Sequence, residues 1–311
     1  MFRLAHISDP HLGPLPLLTW RDLASKRITG YINWQRHRGR MMASPVLTHL
    51  MADLQSQAVD HLAITGDLIN LGLDDEIASA AIWLKGLGNP QNISVVPGNH
   101  DAYVPGALAK DCKIWLPFMS GDITPKSAAP AAIFPYLRIR EKIAIIGVSS
   151  AIATVPFLAR GAFRSAQAKK LAAILKACDE EGLFRVIMIH HPPVRGATSM
   201  HKRLFGIGLF QRIVKANGAE LVLHGHTHRP TVNFIDAKHT KVPVIGVSST
   251  SQAPGGRMPA SGYNLFDISG SKGNWNCQLQ YRAMTEKSTA STEVRKEQLL
   301  ENGKAPERIL F

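Results

Sequence analysis

Nine side chains able to bind a metal ion or move a proton fall in five short clusters: Asp9 with His11, Asp67, Asn99-His100-Asp101, His190, and His226 with His228. All are nitrogen or oxygen donors and none is a cysteine, a set that suits Mn²⁺, Fe or Zn²⁺. It is also too large for one ion. Two ions sharing a carboxylate, at the roughly 3.5–4 Å separation of two-metal hydrolases, would use it fully. Any one cluster also reads as a surface turn, because Asn, Asp and Gly are ordinary turn residues. Position separates the two readings, since each cluster closes an apolar run. Val95-Val96 gives way to Pro97, which cannot continue a central ladder, and to Gly98, which permits a sharp reversal. Asn99-His100-Asp101 therefore lies just past the C-terminal end of a strand, the edge where open α/β sheets bind ligands. In locally extended backbone Asp9 and His11, two apart, would point the same way.

The elements that must carry these clusters follow a strand-helix rhythm. Residues 2–8 read as a buried strand, with His6 inside it as a core histidine. Helix 45–57 buries Val46, Leu47, Leu50, Met51 and Leu54, strand 59–65 runs into Asp67, helix 73–87 follows, and strand 92–96 reaches the central trio. That order predicts parallel βαβ units. Residues 102–130 show no assignable element. Strands at 133–140 and 143–148, a helix at 164–180 and a strand at 184–189 lead to His190-His191-Pro192-Pro193. Helix 207–217 and strand 220–223 lead to His224-Gly225-His226-Thr227-His228. Short strands at 231–236, 242–248, 262–268 and 275–282 then predict a second, more antiparallel sheet. A catalytic domain is expected over 1–282. Residues 283–311 are expected as a polar, peripheral tail with an amphipathic stretch near 294–300.

Of 311 residues, 45% are hydrophobic and 19% charged, which supplies a core of ordinary proportions. The net charge of +13 instead implies an anionic partner: a phosphorylated substrate, nucleic acid or an anionic membrane surface. Cys112, Cys178 and Cys277 are far apart and in no Cys-x-x-Cys spacing, so they read as reduced thiols in a cytosolic protein. A cleavable leader would have to remove Asp9, and residues 143–159 read as a buried strand and loop rather than a membrane span. The insertion at 14–44 is basic and aromatic, with Trp20, Arg21, Lys26, Arg27, Tyr31, Trp34, Arg36, Arg38 and Arg40. It suits a membrane surface or an anionic lipid head group, or else a solvated helix packed on the domain. Because it begins just after His11, it is the expected source of substrate identity. Loop 195–210 is expected to cap the site, with Arg195 and His201 toward substrate.

Asp-x-His, Gly-Asp, Gly-Asn-His-Asp, His-His-Pro-Pro and Gly-His-x-His, in that order, resemble the calcineurin-like metallophosphoesterase superfamily over about residues 4–250. The resemblance implies an α/β fold, a four-layer α/β/β/α sandwich of two mixed sheets flanked by helices. It implies that Asp9, His11 and His228 hold one divalent ion, that Asn99, His190 and His226 hold the other, and that Asp67 bridges them. His191 and His224 would stand behind the ligands. His100 would serve the leaving oxygen as general acid or hydrogen-bond donor, with Asp101 orienting its ring. Two ions, two carboxylates and a bridging hydroxide leave a formal charge of about +1, attractive to phosphate. The ions would also bring bound water to a pKa of about 7, so that hydroxide attacks phosphorus at neutral pH. The motifs look like those of bacterial phosphodiesterases acting on cyclic nucleotides or glycerophosphodiesters. The alternative is a pyrophosphatase acting on a nucleotide-linked lipid, such as a lipid A precursor, at the inner face of the membrane. Nucleic acid is a weaker expectation, for no extended phosphate track or known binding motif is visible. A non-enzymatic scaffold would be expected to have lost ligands, and none is lost here.

Overall fold

A computed structural model describes residues 1–35, 45–123, 125–238, 240–285 and 290–306. The latter part of the basic insertion, with Arg36, Arg38 and Arg40, lies outside the described residues. Fourteen strands form among those described: β1 (Phe2–Ile7), β2 (His61–Ile64), β3 (Ile93–Val95), β4 (Tyr136–Arg140), β5 (Ile143–Gly147), β6 (Gly161–Ala162) and β7 (Phe184–Met188). They continue with β8 (Leu204–Phe205), β9 (Leu221–His224), β10 (Thr231–Asp236), β11 (Lys241–Gly246), β12 (Gly262–Ser269), β13 (Asn276–Met284) and β14 (Ser291–Leu300).

Two six-stranded sheets result, in the orders β14-β13-β12-β1-β2-β3 and β10-β11-β9-β7-β5-β4. Both are mixed. β1, β2 and β3 run parallel while β12 to β14 join antiparallel, and in the second sheet β4 and β10 are antiparallel edges to a parallel centre. The four expected strands, β10 to β13, therefore divide between the sheets instead of building one antiparallel sheet of their own, because β12 pairs with β1.

Alternation along the strands builds the layers. In β7, Phe184, Val186 and Met188 join the core between the sheets, while Ile187 faces the other way. There it packs with Leu171 and Leu175 of helix Ser165–Glu180 and with Phe210 and Val214 of helix Ile207–Asn217. Helices Val46–Gln55 and Asp74–Leu87 contribute Leu50, Leu54, Ile77 and Leu84 to the principal core. This is the expected sandwich of two sheets flanked by helices.

Residues 291–300 are not a peripheral tail. They form β14, the edge strand against β13, and bury Leu299 and Leu300 in the principal core. The segment reads as polar because most of its side chains face water at a sheet edge, where charge discourages pairing with other chains. No helix among the described residues is long and apolar enough to cross a membrane.

Candidate metal centre

Five parallel strands end at one edge and deliver the candidate ligands there. Asp9 and His11 follow β1, Asp67 follows β2, Asn99 follows β3, His190 follows β7, and His226 and His228 follow β9. Oδ1 of Asp9 lies 3.1 Å from Nε2 of His228 and 3.9 Å from Nε2 of His11. Oδ2 of Asp67 lies 3.9 Å from Nε2 of His11 and 3.4 Å from Nε2 of His190, so it stands between two groups. Asn99 Oδ1 is 3.2 Å from His190 Nε2. His226 donates its backbone N–H to Asp9 Oδ2 at 3.0 Å and packs its ring edge-on against His190. All seven residues thus meet at one place.

The backbone is bent to bring them there. Asp9, His11, Asp67, His226 and His228 have φ of 52°, 42°, 54°, 67° and 54°, the left-handed region that side-chain-bearing residues avoid. Asp9 and His11 are therefore not extended, and their convergence comes from these turns. Each such residue costs on the order of 1–3 kcal/mol, and such strain concentrates at functional sites. Two glycines make the room. A Cβ on Gly98 would strike the Asp67 carboxylate, and one on Gly225 would lie 2.6 Å from Asp9 Oδ2.

Proton accounting shows that the pocket fits a cation. His190 Nδ1 donates to the Thr65 carbonyl at 2.6 Å, His11 Nδ1 to the Ile69 carbonyl at 3.2 Å, and His226 Nε2 to the Lys202 carbonyl at 2.9 Å. Each neutral ring then turns a lone pair inward from its other nitrogen. The lone pair of His190 faces carboxylate and amide oxygens, acceptor against acceptor, which only a positive charge reconciles. Without a metal, a proton does this. Burial lowers the His190 pKa, but the Asp67 carboxylate, together with Asp9 and the Thr65 carbonyl, more than offsets it and raises it to about 9. Burial likewise opposes ionisation of Asp9 and Asp67, yet the surrounding imidazoles hold both below the usual carboxylate range. Asp9-His11-His228 and Asp9-Asp67-His190 each present donor atoms close enough to share an ion, as does His190 with His191 and His226.

His100 lines a cavity beside the cluster, with neighbours that differ from those expected. Its Nδ1 donates to the Asn70 carbonyl at 2.6 Å, and its ring stacks on Tyr103 with centroids 5.5 Å apart. Asp101 does not orient that ring. Its fully buried carboxylate accepts the backbone N–H groups of Asp67 (2.8 Å), Leu68 (2.9 Å), Ile69 (3.3 Å) and Gly98 (2.7 Å), tying the Gly-Asp loop to the Gly-Asn-His-Asp loop. Burial and then the nearby Asp67 push its pKa up to about 7, against those donors. Asp101 is thus a positioning residue rather than a catalytic one. His191 spends both nitrogens on Ser150 Oγ (2.8 Å) and the Ala159 carbonyl (3.3 Å). His224 bonds the Gly225 carbonyl, and His6 bonds Thr65 and Asn264 within the core.

A cavity of about 770 Å³ opens beside the cluster, reaching Asp67, Asn99, His100, His226 and His228 on one side. Ile32, Trp34, Phe157, Leu158 and Met258 form an apolar wall, and Lys26, Lys202 and Arg257 supply positive charge. Arg195 and His201 are exposed and do not line it, which corrects their expected role. The loop meets the cavity one residue later, through Lys202, whose carbonyl holds His226. Tyr103 and Asn70 escape the sequence reading. Their only signal is spacing, three residues past His100 and Asp67 respectively.

The sequence matches the model of the calcineurin-like phosphoesterase family over residues 2–230. No curated protein matches the chain in sequence. Its fold is similar to a zebrafish (Danio rerio) dimetal phosphatase, with TM-score 0.59 and 12% identity over 96% of this chain and 98% of that one. It is also similar to a purple acid phosphatase from yellow lupin seeds, with TM-score 0.55 and 10% identity over 100% of this chain and 57% of that one. A third likeness is to the sulfate thiohydrolase SoxB of Thermus thermophilus, with TM-score 0.50 and 16% identity over 94% and 58% of the two chains.

Proposed function

The chain belongs to the calcineurin-like phosphoesterase family of metal-dependent phosphoester hydrolases, and from that premise we propose that it is a phosphodiesterase of the cyclic-nucleotide or glycerophosphodiester type. The observation that carries this reading is the 770 Å³ cavity that runs from the ligand cluster to the wall of Ile32, Trp34 and Phe157. A phosphorus held at the cluster has room there for a retained substituent as well as a leaving group. Asp9, His11 and His228 would hold one divalent ion and Asn99, His190 and His226 the other, with Asp67 between them. Such a pair, when bound, supplies positive charge for the phosphate and a water acidic enough to ionise near neutral pH. All-nitrogen-and-oxygen donors support Mn²⁺ or Fe, with Zn²⁺ also compatible.

The protein's own part is positioning and proton delivery. Asn70 fixes Nδ1 of His100, so the opposite edge of the ring turns toward the cavity that holds the phosphate. When the ring carries both protons, that edge donates one to the departing oxygen. Tyr103 keeps the ring plane fixed by stacking. The free, buried cysteines support a reducing compartment such as the cytoplasm. With Mn²⁺ supplied, bis(p-nitrophenyl) phosphate is expected to be hydrolysed faster than p-nitrophenyl phosphate. Preference for the monoester would overturn the diesterase reading.

One observation favours a second substrate. Lys26, Lys202 and Arg257 line the cavity, whereas among the described residues its lone lining carboxylate is Asp67. That is more positive charge than a single phosphodiester balances, and it suits a pyrophosphate bond carrying an apolar group, as in a nucleotide-linked lipid. Lys26→Met is then expected to reduce kcat/KM on a nucleoside-diphosphate-linked lipid far more than on bis(p-nitrophenyl) phosphate.

A further inference from the structure

Among the described residues, fourteen large apolar side chains are exposed, and eight of them sit in three short segments, 17–32, 155–157 and 200–205. Leu17 is 100% exposed, Trp20 75%, Val155 65%, Phe157 84% and Met200 56%. Scattered single apolar residues are normal on a surface, but a concentration of this kind marks an interaction site.

The three segments are adjacent in space and surround the cavity mouth. Lys26 Nζ donates to Thr154 Oγ1 at 2.7 Å and to the Leu158 carbonyl at 3.1 Å, joining the insertion to the second segment. Ala159 N–H donates to the His201 carbonyl at 3.0 Å, and β6 pairs with β8, joining the second segment to the third. Ile32, Phe157 and Lys202, one from each segment, line the same cavity.

Charge on this rim is one-sided. Residues 14–35, 151–163, 194–206 and 251–260 carry eight Lys and Arg against one carboxylate, Asp22. Asp22 is already engaged by Thr19 and lies 3.7 Å from Arg27. Several cations lie against apolar rings, with Arg21 over Trp20 at 5.2 Å and Arg203 over Phe205 at 4.8 Å. Nucleic acid would engage the cations but leave Leu17, Val155, Phe157 and Met200 in water. An acidic bilayer engages both, because the apolar tips enter the interface while Lys and Arg meet head groups.

We propose that this rim docks the chain on an anionic phospholipid bilayer, with the mouth of the cavity facing the lipid. Docking is a property of the surface and does not depend on which phosphoester is cleaved. The proposal is tested by co-sedimenting the full chain with vesicles of phosphatidylcholine alone and of phosphatidylcholine with phosphatidylglycerol. Binding is expected to the acidic vesicles and to weaken with salt. The triple variant Trp20→Ser, Val155→Ser, Met200→Ser, which leaves the cavity lining intact, is expected to bind at least about tenfold more weakly, a loss of ~1.4 kcal/mol. Its hydrolysis of bis(p-nitrophenyl) phosphate without vesicles should equal that of the parent. Failure of the parent to sediment with acidic vesicles would overturn the proposal. So would undiminished binding by the triple variant, which would reduce the attraction to diffuse adsorption of a basic chain. Loss of diester hydrolysis by the parent protein itself would count against the diesterase reading and not against docking.

Discussion

The imidazole of His100 is held at one nitrogen by a carbonyl, at its face by Tyr103 and against the ring of His11, where it lines the cavity beside the cluster. His100→Ala is therefore expected to retain its metals and lose about 10²–10⁴-fold in turnover, the usual worth of a positioned acid. Metal content and kcat measured together check this, and full activity would remove His100 from the reaction. Asp101 answers to a different test. Asp101→Asn would set an NH₂ against backbone N–H donors, and it is expected to destabilise the fold by about 1–3 kcal/mol and to weaken metal retention. Urea denaturation reads the first effect, and stability equal to the parent's would contradict the stapling role. The candidate ligand residues were legible because their types are rare and each closes an apolar run. The task of Asp101 was not, since its partners are backbone groups in another loop and backbone groups leave no mark in a sequence. The same reason hid Lys202, whose carbonyl rather than its side chain holds His226.

Strand ends and the turns after them do the positioning, and two elements make this measurable. Gly225→Ala would press a methyl group against Ser8 and Asp9 and is expected to lower metal affinity. A variant that binds metal as the parent does would contradict the claim of close approach. In β14, Leu299→Ala is expected to cost about 2–5 kcal/mol, as for other buried leucines; a surface-like loss would return that segment to the periphery. β2 adds a pH dependence remote from the metal cluster. Burial, then the charges of Arg138 and Arg140, lower the His61 pKa from its ordinary 6.5 to about 3. Between those values the unfolded chain takes up a proton that the folded strand refuses. Stability is thus complete above pH 6.5 and falls as pH drops toward 3, by up to about 1.4 kcal/mol per pH unit. His61→Gln should flatten that slope relative to the parent in denaturation curves between pH 4 and 7. Helices and parallel strands were readable from periodicity. β14 was not, because edge strands show water on most sides and their pairing is decided by β13.

The whole molecule is a sandwich whose two sheets bring four and three of the candidate ligands to a common edge. β1, β2 and β3 of one sheet carry Asp9, His11, Asp67 and Asn99, while β7 and β9 of the other carry His190, His226 and His228. Which strands joined which sheet could not be read locally, because it rests on the pairing of β12 with β1 across most of the chain. Since the bound ions would tie the two sheets together, their removal by a chelator is expected to lower the melting temperature. Ions at a thousand times their dissociation constant stabilise a fold by about 4 kcal/mol. The central claim, that seven side chains from both sheets hold a pair of cations, is tested most directly by metal analysis. The chain is reconstituted with Mn²⁺, Fe²⁺ or Zn²⁺, and bound metal and diester hydrolysis are counted on the same sample. The account predicts two ions per chain, with Asp67→Ala binding fewer and losing activity. A parent chain that binds no ion, or an Asp67→Ala chain that holds two and remains fully active, would contradict it.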